Sequence, residues 1–323
     1  MSEMTCRDAV IRALTEEMER DESVILLGED VAAAGGVFKA TAGLLERFGP
    51  DRVRDTPISE AAIIGAGIGA ALTGMRPVVE LMFADFAAVA LDQIVNEAAK
   101  LRYMSGGRLK VPMVIRAAQG AGGGFAAQHS QCVETLFMHY AGLKVAAPGT
   151  PADVLGLLKT AIRDDNPVIF LEHKMLYNLK GDVPDGEHLV PFGKARIARE
   201  GRDVTIVASQ KMLGPASEAA ERLDAEGISC EIIDPRTFAP LDFETIGRSL
   251  EKTGRLVTVE EAVRPCGWGA EIVSRLCEEG FWWLDAPVRR VTMGESIIPF
   301  SQSLEDALMP GVDEMIAAVH ALA

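Results

Sequence analysis

The chain has 323 residues, 48% of them hydrophobic, and 47 acidic against 32 basic side chains give a net charge of −15. That acidity argues against a nucleic-acid-binding protein, which needs a basic face, and no apolar run approaches the roughly 18 residues of a membrane span. Five scattered cysteines without a C-x-x-C pair indicate neither a zinc site nor a disulfide framework, a usage that suits a reducing cytosol.

Taken in order, the opening MSEMTCRDAV lacks an apolar signal core, so a cytoplasmic protein is expected. Ala9, Val10, Ala13, Leu14 and Met18 recur at helical spacing over Thr5 to Arg20. Thr5 followed three residues later by Asp8 resembles a capped helix start. VILLGED then reads as a buried strand, Val24 to Leu27, ending in the acidic turn Gly28-Glu29-Asp30. Ligands of parallel sheets gather beyond the carboxyl ends of strands, so Glu29 stands either at a site or in a solvated turn.

After a short helix, Gly43 to Phe48, comes DTPISEAAIIGAGIGAALTG, Asp55 to Gly74. Small residues recur every fourth position in two rows, Ala61-Gly65-Gly69 and Ala62-Ala66-Ala70-Gly74, which share one helix face. Interior glycine costs a helix about 1 kcal/mol relative to alanine, so close approach of another helix, within the chain or between subunits, is expected. Glu60 sits at the start of this helix, either as a functional carboxylate or as an incidental helix-start acid. The same string matches a dinucleotide fingerprint through Gly65, Gly67 and Ala70, with Glu80 as its acid. In a Rossmann unit, however, the acid lies about 20 residues on, beyond a full helix, and here the next strand starts at Arg76.

Strands follow at Arg76 to Met82, Val111 to Gly120, Leu143 to Ala147 and Pro167 to Leu171. Phe83 to Arg102, with Asp92 and Asn96 a turn apart, and Pro151 to Arg163 read as helices between them. A glycine-rich loop, AGAGGGF, precedes AAQHSQ and His129, either a residue poised near neutral pH for proton transfer or, as a lone histidine more often is, a structural one. The alternation predicts a doubly wound parallel sheet. The stretch from Tyr177 to Pro191 lacks periodicity and is rich in Gly, Pro and Asp, and from Asp203 a second alternation begins. The expected organisation is a first domain over 1–185, a linker over 186–202 and a smaller α/β domain over 203–323. No magnesium–diphosphate signature of the GDG type with a downstream Asn occurs.

DTPISE, ELMFADF, ALDQIVNEAAKLRYMSGG, AAQHSQ, GLKVAAPGTPADVLGLLKTAIRDDNPVIFLEHK and EKTGRLVTVEEA, in order and at the right spacing, resemble the β subunits of 2-oxo acid dehydrogenases. That family includes the first components of the pyruvate, branched-chain 2-oxo acid and acetoin dehydrogenase complexes. The resemblance implies a thiamin-diphosphate pyrimidine-binding domain followed by a transketolase C-terminal-like domain. It implies an α2β2 heterotetramer with thiamin diphosphate at each α–β interface. Mg2+ and the diphosphate would be held mainly by the α subunit, and acyl groups would pass to lipoyl-lysine of an acyltransferase core. Glu60 would hydrogen-bond the pyrimidine ring nitrogen, which calls for a partly buried carboxyl with a raised pKa. Phe86 would pack on the pyrimidine, His129 would face the substrate, and Glu29 and Asp92 would lie near the cofactor and between paired sites. Backbone carbonyls near Met113, Ala161, Ile162, Asp164 and Asn166 match a monovalent-cation site, which K+ would fill. The alternatives are a ferredoxin-linked or transketolase-like thiamin enzyme, or a catalytically silent assembly subunit.

Overall fold

The computed structural model describes residues 1–322, which divide into two compact units. The first comprises Met1–Gln119 and Leu136–Phe192, and the second Gly120–Thr135 and Gly193–Ala323. The division thus falls at Gly193, ten residues ahead of the expected 203, and part of the expected 186–202 linker is structured in the second unit. Sequence order also hid the allegiance of the His129 loop, which makes its contacts with the second unit.

In the first unit the elements run β1 (Ser2–Thr5), α1 (Cys6–Arg20), β2 (Val24–Gly28), α2 (Leu44–Phe48), β3 (Val53–Asp55), α3 (Glu60–Leu72) and β4 (Arg76–Leu81). They continue as α4 (Leu101–Met104), β5 (Val114–Gln119), α5 (Glu134–Met138), β6 (Lys144–Ala146), α6 (Pro151–Arg163), β7 (Val168–His173) and β8 (Lys180–Val183). Six strands pair in the order β6-β7-β5-β4-β2-β3, all parallel. Thr5 caps α1 through the capping box with Asp8, satisfying N–H groups that a helix start otherwise leaves orphaned. Neighbouring residues on a strand face opposite ways. Val78 accordingly joins the core under α1 and α6, while Val79 meets α3. Helices therefore cover both faces, as the alternation predicted.

Two expectations need correction. The stretch from Phe83 to Arg102 is not one α-helix. It is a 3-10 turn at Ala84–Ala88, a π-helical segment at Gln93–Ala98 and then α4. Periodicity reports which residues face the core, and the widened turn, with Ala99 N–H donating to the Ile94 carbonyl, leaves that pattern readable as a helix. Nor is Tyr177 to Pro191 wholly irregular, because β8 pairs antiparallel with β1 and Tyr177 is buried.

The second unit contains β9 (Arg196–Arg199), β10 (Val204–Ala208), α7 (Leu213–Asp224), β11 (Cys230–Asp234), β12 (Thr237–Ala239), α8 (Phe243–Thr253) and β13 (Leu256–Val263). It closes with α9 (Trp268–Glu279), β14 (Arg289–Met293), α10 (Gln302–Leu308) and α11 (Val312–His320). Its sheet runs β14-β13-β10-β11-β9, parallel except for the edge strand β9. Alanines of α7 and apolar residues of α11 form its core with Ile206, Ile232 and Val257. No described helix is long and apolar enough to cross a membrane.

The glycines of α3 separate into two kinds. A Cβ on Gly67 would meet Met113 Cε at 2.7 Å and Val79 Cγ1 at 2.8 Å, whereas nothing lies within 4 Å of one on Gly65 or Gly69. The close approach inside the chain is therefore made at Gly67, which lies outside both small-residue rows, and it is made to β4 and Met113 rather than to another helix; among the described residues nothing packs on Gly65 or Gly69. Gly67→Ala is predicted to cost about 1–3 kcal/mol by overpacking, while Gly65→Ala gains up to about 1 kcal/mol of helix propensity. Denaturant unfolding of the purified chain measures both, and equal responses would sink the steric account.

Candidate active site

Glu60 is the first residue of α3, half-buried and preceded by Ser59, which makes no side-chain cap. A carboxylate is stabilised there by the positive end of the helix. Glu29 follows the last residue of β2, at the carboxyl edge of the sheet. Partial burial raises its pKa, and the neighbouring charges of Asp30 and Glu60 raise it further. The fold therefore brings Glu29 and Glu60 within electrostatic reach of each other.

Phe86 lies in the 3-10 turn after β4, half-buried. It is reached through a train of rings: Tyr177 stacks on Phe38 at 5.1 Å, Phe38 meets Phe83 edge-on at 5.8 Å, and Phe83 meets Phe86 edge-on at 6.0 Å. Asp92 is exposed and accepts the Asn96 side-chain N–H at 2.7 Å. Glu29, Glu60, Phe86 and Asp92 thus belong to the first unit and His129, half-buried, to the second.

The expected cation carbonyls are already engaged in part. Arg76 Nη1 donates to the carbonyls of Ile162 at 3.0 Å and Asp164 at 2.9 Å. Met113 and Ala161 carbonyls accept the N–H groups of Val168 and Asp164. Each carbonyl has a second lone pair, so these bonds do not exhaust its acceptor capacity, although the Arg76 guanidinium already brings a positive charge to two of them. The Asp164 carboxyl, although partly buried, is held below the ordinary range by Lys144 and Asn166. Among the described residues, no three His, Cys, Asp or Glu side chains converge as a metal site.

Sequence reasoning missed a buried ion triad. Arg116 on β5 reaches Glu172 on β7 with two bonds, Nε to Oε1 at 2.6 Å and Nη2 to Oε2 at 2.8 Å. Its Nη1 donates to Glu80 Oε2 at 2.6 Å, and Glu80 is directly opposite it on β4. Tyr177 donates to Glu172 at 2.8 Å. Burial raises the Glu80 pKa against the attraction of Arg116, and the charge of Glu172 raises it further. Burial works against the Arg116 charge as well, yet Glu172 and Glu80 hold its pKa above the ordinary range. The signal was present in the sequence as a charged residue inside each of three largely apolar strands, RPVVEL, VIRAAQ and VIFLEH. It also gives Glu80 its role, inside the sheet rather than on a nucleotide ribose.

Residues 2–180 match the family described as transketolase, pyrimidine binding domain, and residues 193–315 match the transketolase C-terminal domain. Fold and matches together define a transketolase-like chain. It is 48% identical over 320 residues to pyruvate dehydrogenase E1 component subunit beta-2, mitochondrial, of Oryza sativa subsp. japonica, spanning 98% of this chain and 85% of that one. It is 49% identical over 322 residues to the acetoin:2,6-dichlorophenolindophenol oxidoreductase subunit beta of Cupriavidus necator, spanning 97% and 95%. A solved structure described as a split gene transketolase, an inactive β4 tetramer, matches with a TM-score of 0.80 at 26% identity, covering 99% and 98% of the two chains. The chain belongs to the thiamin-dependent family of transketolase-like β subunits that includes those of the pyruvate and acetoin dehydrogenases.

The donor set of the first unit suits a pyrimidine. A half-buried carboxylate at a helix start, a second carboxyl beside it and a supported aromatic ring can hold a proton against a weak ring base and cover a flat face. Because the folded-state Glu29 pKa is raised, the folded chain binds more protons than the unfolded one above 4.5, the ordinary value. Stability should therefore fall as pH rises from there through the folded-state pKa. Glu60→Gln removes one cause of the shift, so the Glu29 pKa should drop toward its ordinary value and this stability loss should shrink. Carboxyl-carbon NMR titration measures it, and an unmoved Glu29 would separate the two groups.

Proposed function

We propose that this chain is the β subunit of a thiamin-diphosphate-dependent dehydrogenase acting on a 2-oxo acid or acetoin, active only with an α subunit. Near-full-length identity to the β subunits of pyruvate and acetoin dehydrogenases carries the reading. The positions of Glu60 and Phe86 support it. When bound, the cofactor supplies a carbon acid and an electron sink for cleavage beside a carbonyl. Glu60 holds a proton at the pyrimidine ring nitrogen, and Glu29 beside it tunes how readily that proton is shared. Phe86 would pack on the ring, and Asp92 would lie toward the second site of the assembly. His129 holds or moves a proton on the substrate side.

The α subunit would hold Mg2+ and the diphosphate, and a lipoyl acyltransferase core would take the acyl group. Met113, Ala161, Ile162, Asp164 and Asn166 would hold a monovalent cation such as K+ through their second lone pairs. That the split transketolase relative is described as inactive as a β4 tetramer supports the dependence on a partner. Identities of 48% and 49% do not rank pyruvate against acetoin, so both enter the assay.

The test is dye-coupled oxidation by the chain reconstituted with an α subunit, thiamin diphosphate and Mg2+, with pyruvate, acetoin and branched-chain 2-oxo acids in parallel. Turnover on one substrate class, lost when either subunit is omitted, is expected. Glu60→Gln should lower turnover by about 100-fold or more, the range of a lost acid–base group, with the assembly intact. His129→Ala should lower kcat more than cofactor affinity. Unchanged turnover in Glu60→Gln would remove that residue from the mechanism, and a cofactor-loaded assembly silent on every substrate would sink the reading.

A further inference from the structure

Two buried carboxylates grip the loop that carries His129. Glu305, 1% exposed on α10, accepts the Gly122 N–H at 2.8 Å and the Gly124 N–H at 3.2 Å. Glu261, on β13, accepts the Ala121 N–H, and Lys211 Nζ donates to the Ala121 carbonyl at 3.3 Å. Beneath them Ala121 packs with Met293 and Ile298. The Gly120 N–H donates to the Gln131 carbonyl at 3.4 Å and closes the stem.

The backbone is shaped for this grip. Gly122, Gly123 and Gly124 have φ of 117°, 83° and 70°, a left-handed run that side chains rarely tolerate. Such a run can turn N–H groups toward an anion, and here Gly122 and Gly124 turn theirs toward the protein's own Glu305. Ala126, with φ of 62°, bends the chain again before His129.

We propose that Glu305, assisted by Glu261, is a positioning residue for His129. It fixes the glycine limb of the loop, and with it the place from which the imidazole works. A loop of glycines has many conformations to lose, and charge-assisted bonds to two of its N–H groups select one. The role toward catalysis rests on the function proposed for His129, whereas the grip itself does not.

The experiment uses the α–β assembly and compares wild type with Glu305→Gln. Glutamine keeps the volume but loses the charge and puts a donor where one of the two accepting oxygens stood, so one of the two N–H groups faces an N–H instead of an acceptor. Amide hydrogen exchange in the peptide spanning 120–128 should accelerate at least about tenfold, while peptides of α1 and α6 keep their wild-type rates. kcat should fall on the order of 10- to 100-fold with KM for thiamin diphosphate unchanged, the signature of a misplaced group. Glu305→Asp keeps the charge on a shorter reach, should show smaller changes of the same kind, and replaces the glutamine variant if that fails to fold. Unaltered exchange would overturn the grip, and faster exchange with wild-type kcat would overturn the positioning role. A wild-type assembly without turnover would overturn the functional reading and the role toward His129, while exchange would still decide the grip.

Discussion

The ion triad of Glu80, Arg116 and Glu172 is the interaction on which the first unit depends. It ties β4, β5 and β7 together, with Glu80 and Glu172 near the carboxyl ends of their strands and Arg116 only 1% exposed. Taking three charges out of water is expensive, and only close paired geometry offsets it. The two-toothed contact with Glu172 meets that condition. Glu80 and Glu172 then compete for one cation, which is why burial can push Glu80 toward its neutral form.

From this triad, order is relayed to the site by contact. Glu172 receives the Tyr177 hydroxyl, Tyr177 stacks on Phe38, and Phe38 and Phe83 lead to Phe86. Arg7 holds the carbonyl of Phe38 at 2.7 Å, so the loop bearing that ring is fixed from α1 as well. Glu80 also packs against Gly28, where a side chain's Cβ would lie 3.0 Å from the Glu80 carbonyl oxygen. The residue before Glu29 must therefore be small, and the acidic turn is set by the strand that carries the triad.

Much of this was legible in the residues. The capping box at Thr5 and Asp8, the proline-started helix α6 and the parallel strands follow from local chemistry that tertiary contacts did not override. The segment after β4 was not legible, because apolar spacing cannot distinguish a helix from a 3-10 turn followed by a π-helical stretch. The His129 loop was legible as a glycine-rich turn but not as part of the second unit. Its partners, Glu261 and Glu305, lie 140 and 183 positions away from the N–H groups they accept, and nothing local marks either acid as buried. The Arg116 triad lay between these extremes, visible as charges inside largely apolar strands but paired only once the strand order was known.

The disposition of charge bears on why such a chain would need a partner. The glycine run at 122–124 has Glu305 as its anion, so the N–H groups of Gly122 and Gly124 are committed within the second unit. In the first unit, Glu29 and Glu60 interact at the helix start, a pair suited to a neutral, weakly basic ring and repulsive to a phosphate. Paired carboxyls suit the weakly basic pyrimidine end of such a cofactor, while the net charge of −15 disfavours its polyanionic diphosphate end. This division of chemistry supports placing the diphosphate site on the α subunit, because carboxylates that hold a ring proton would disfavour a polyanion drawn close to them.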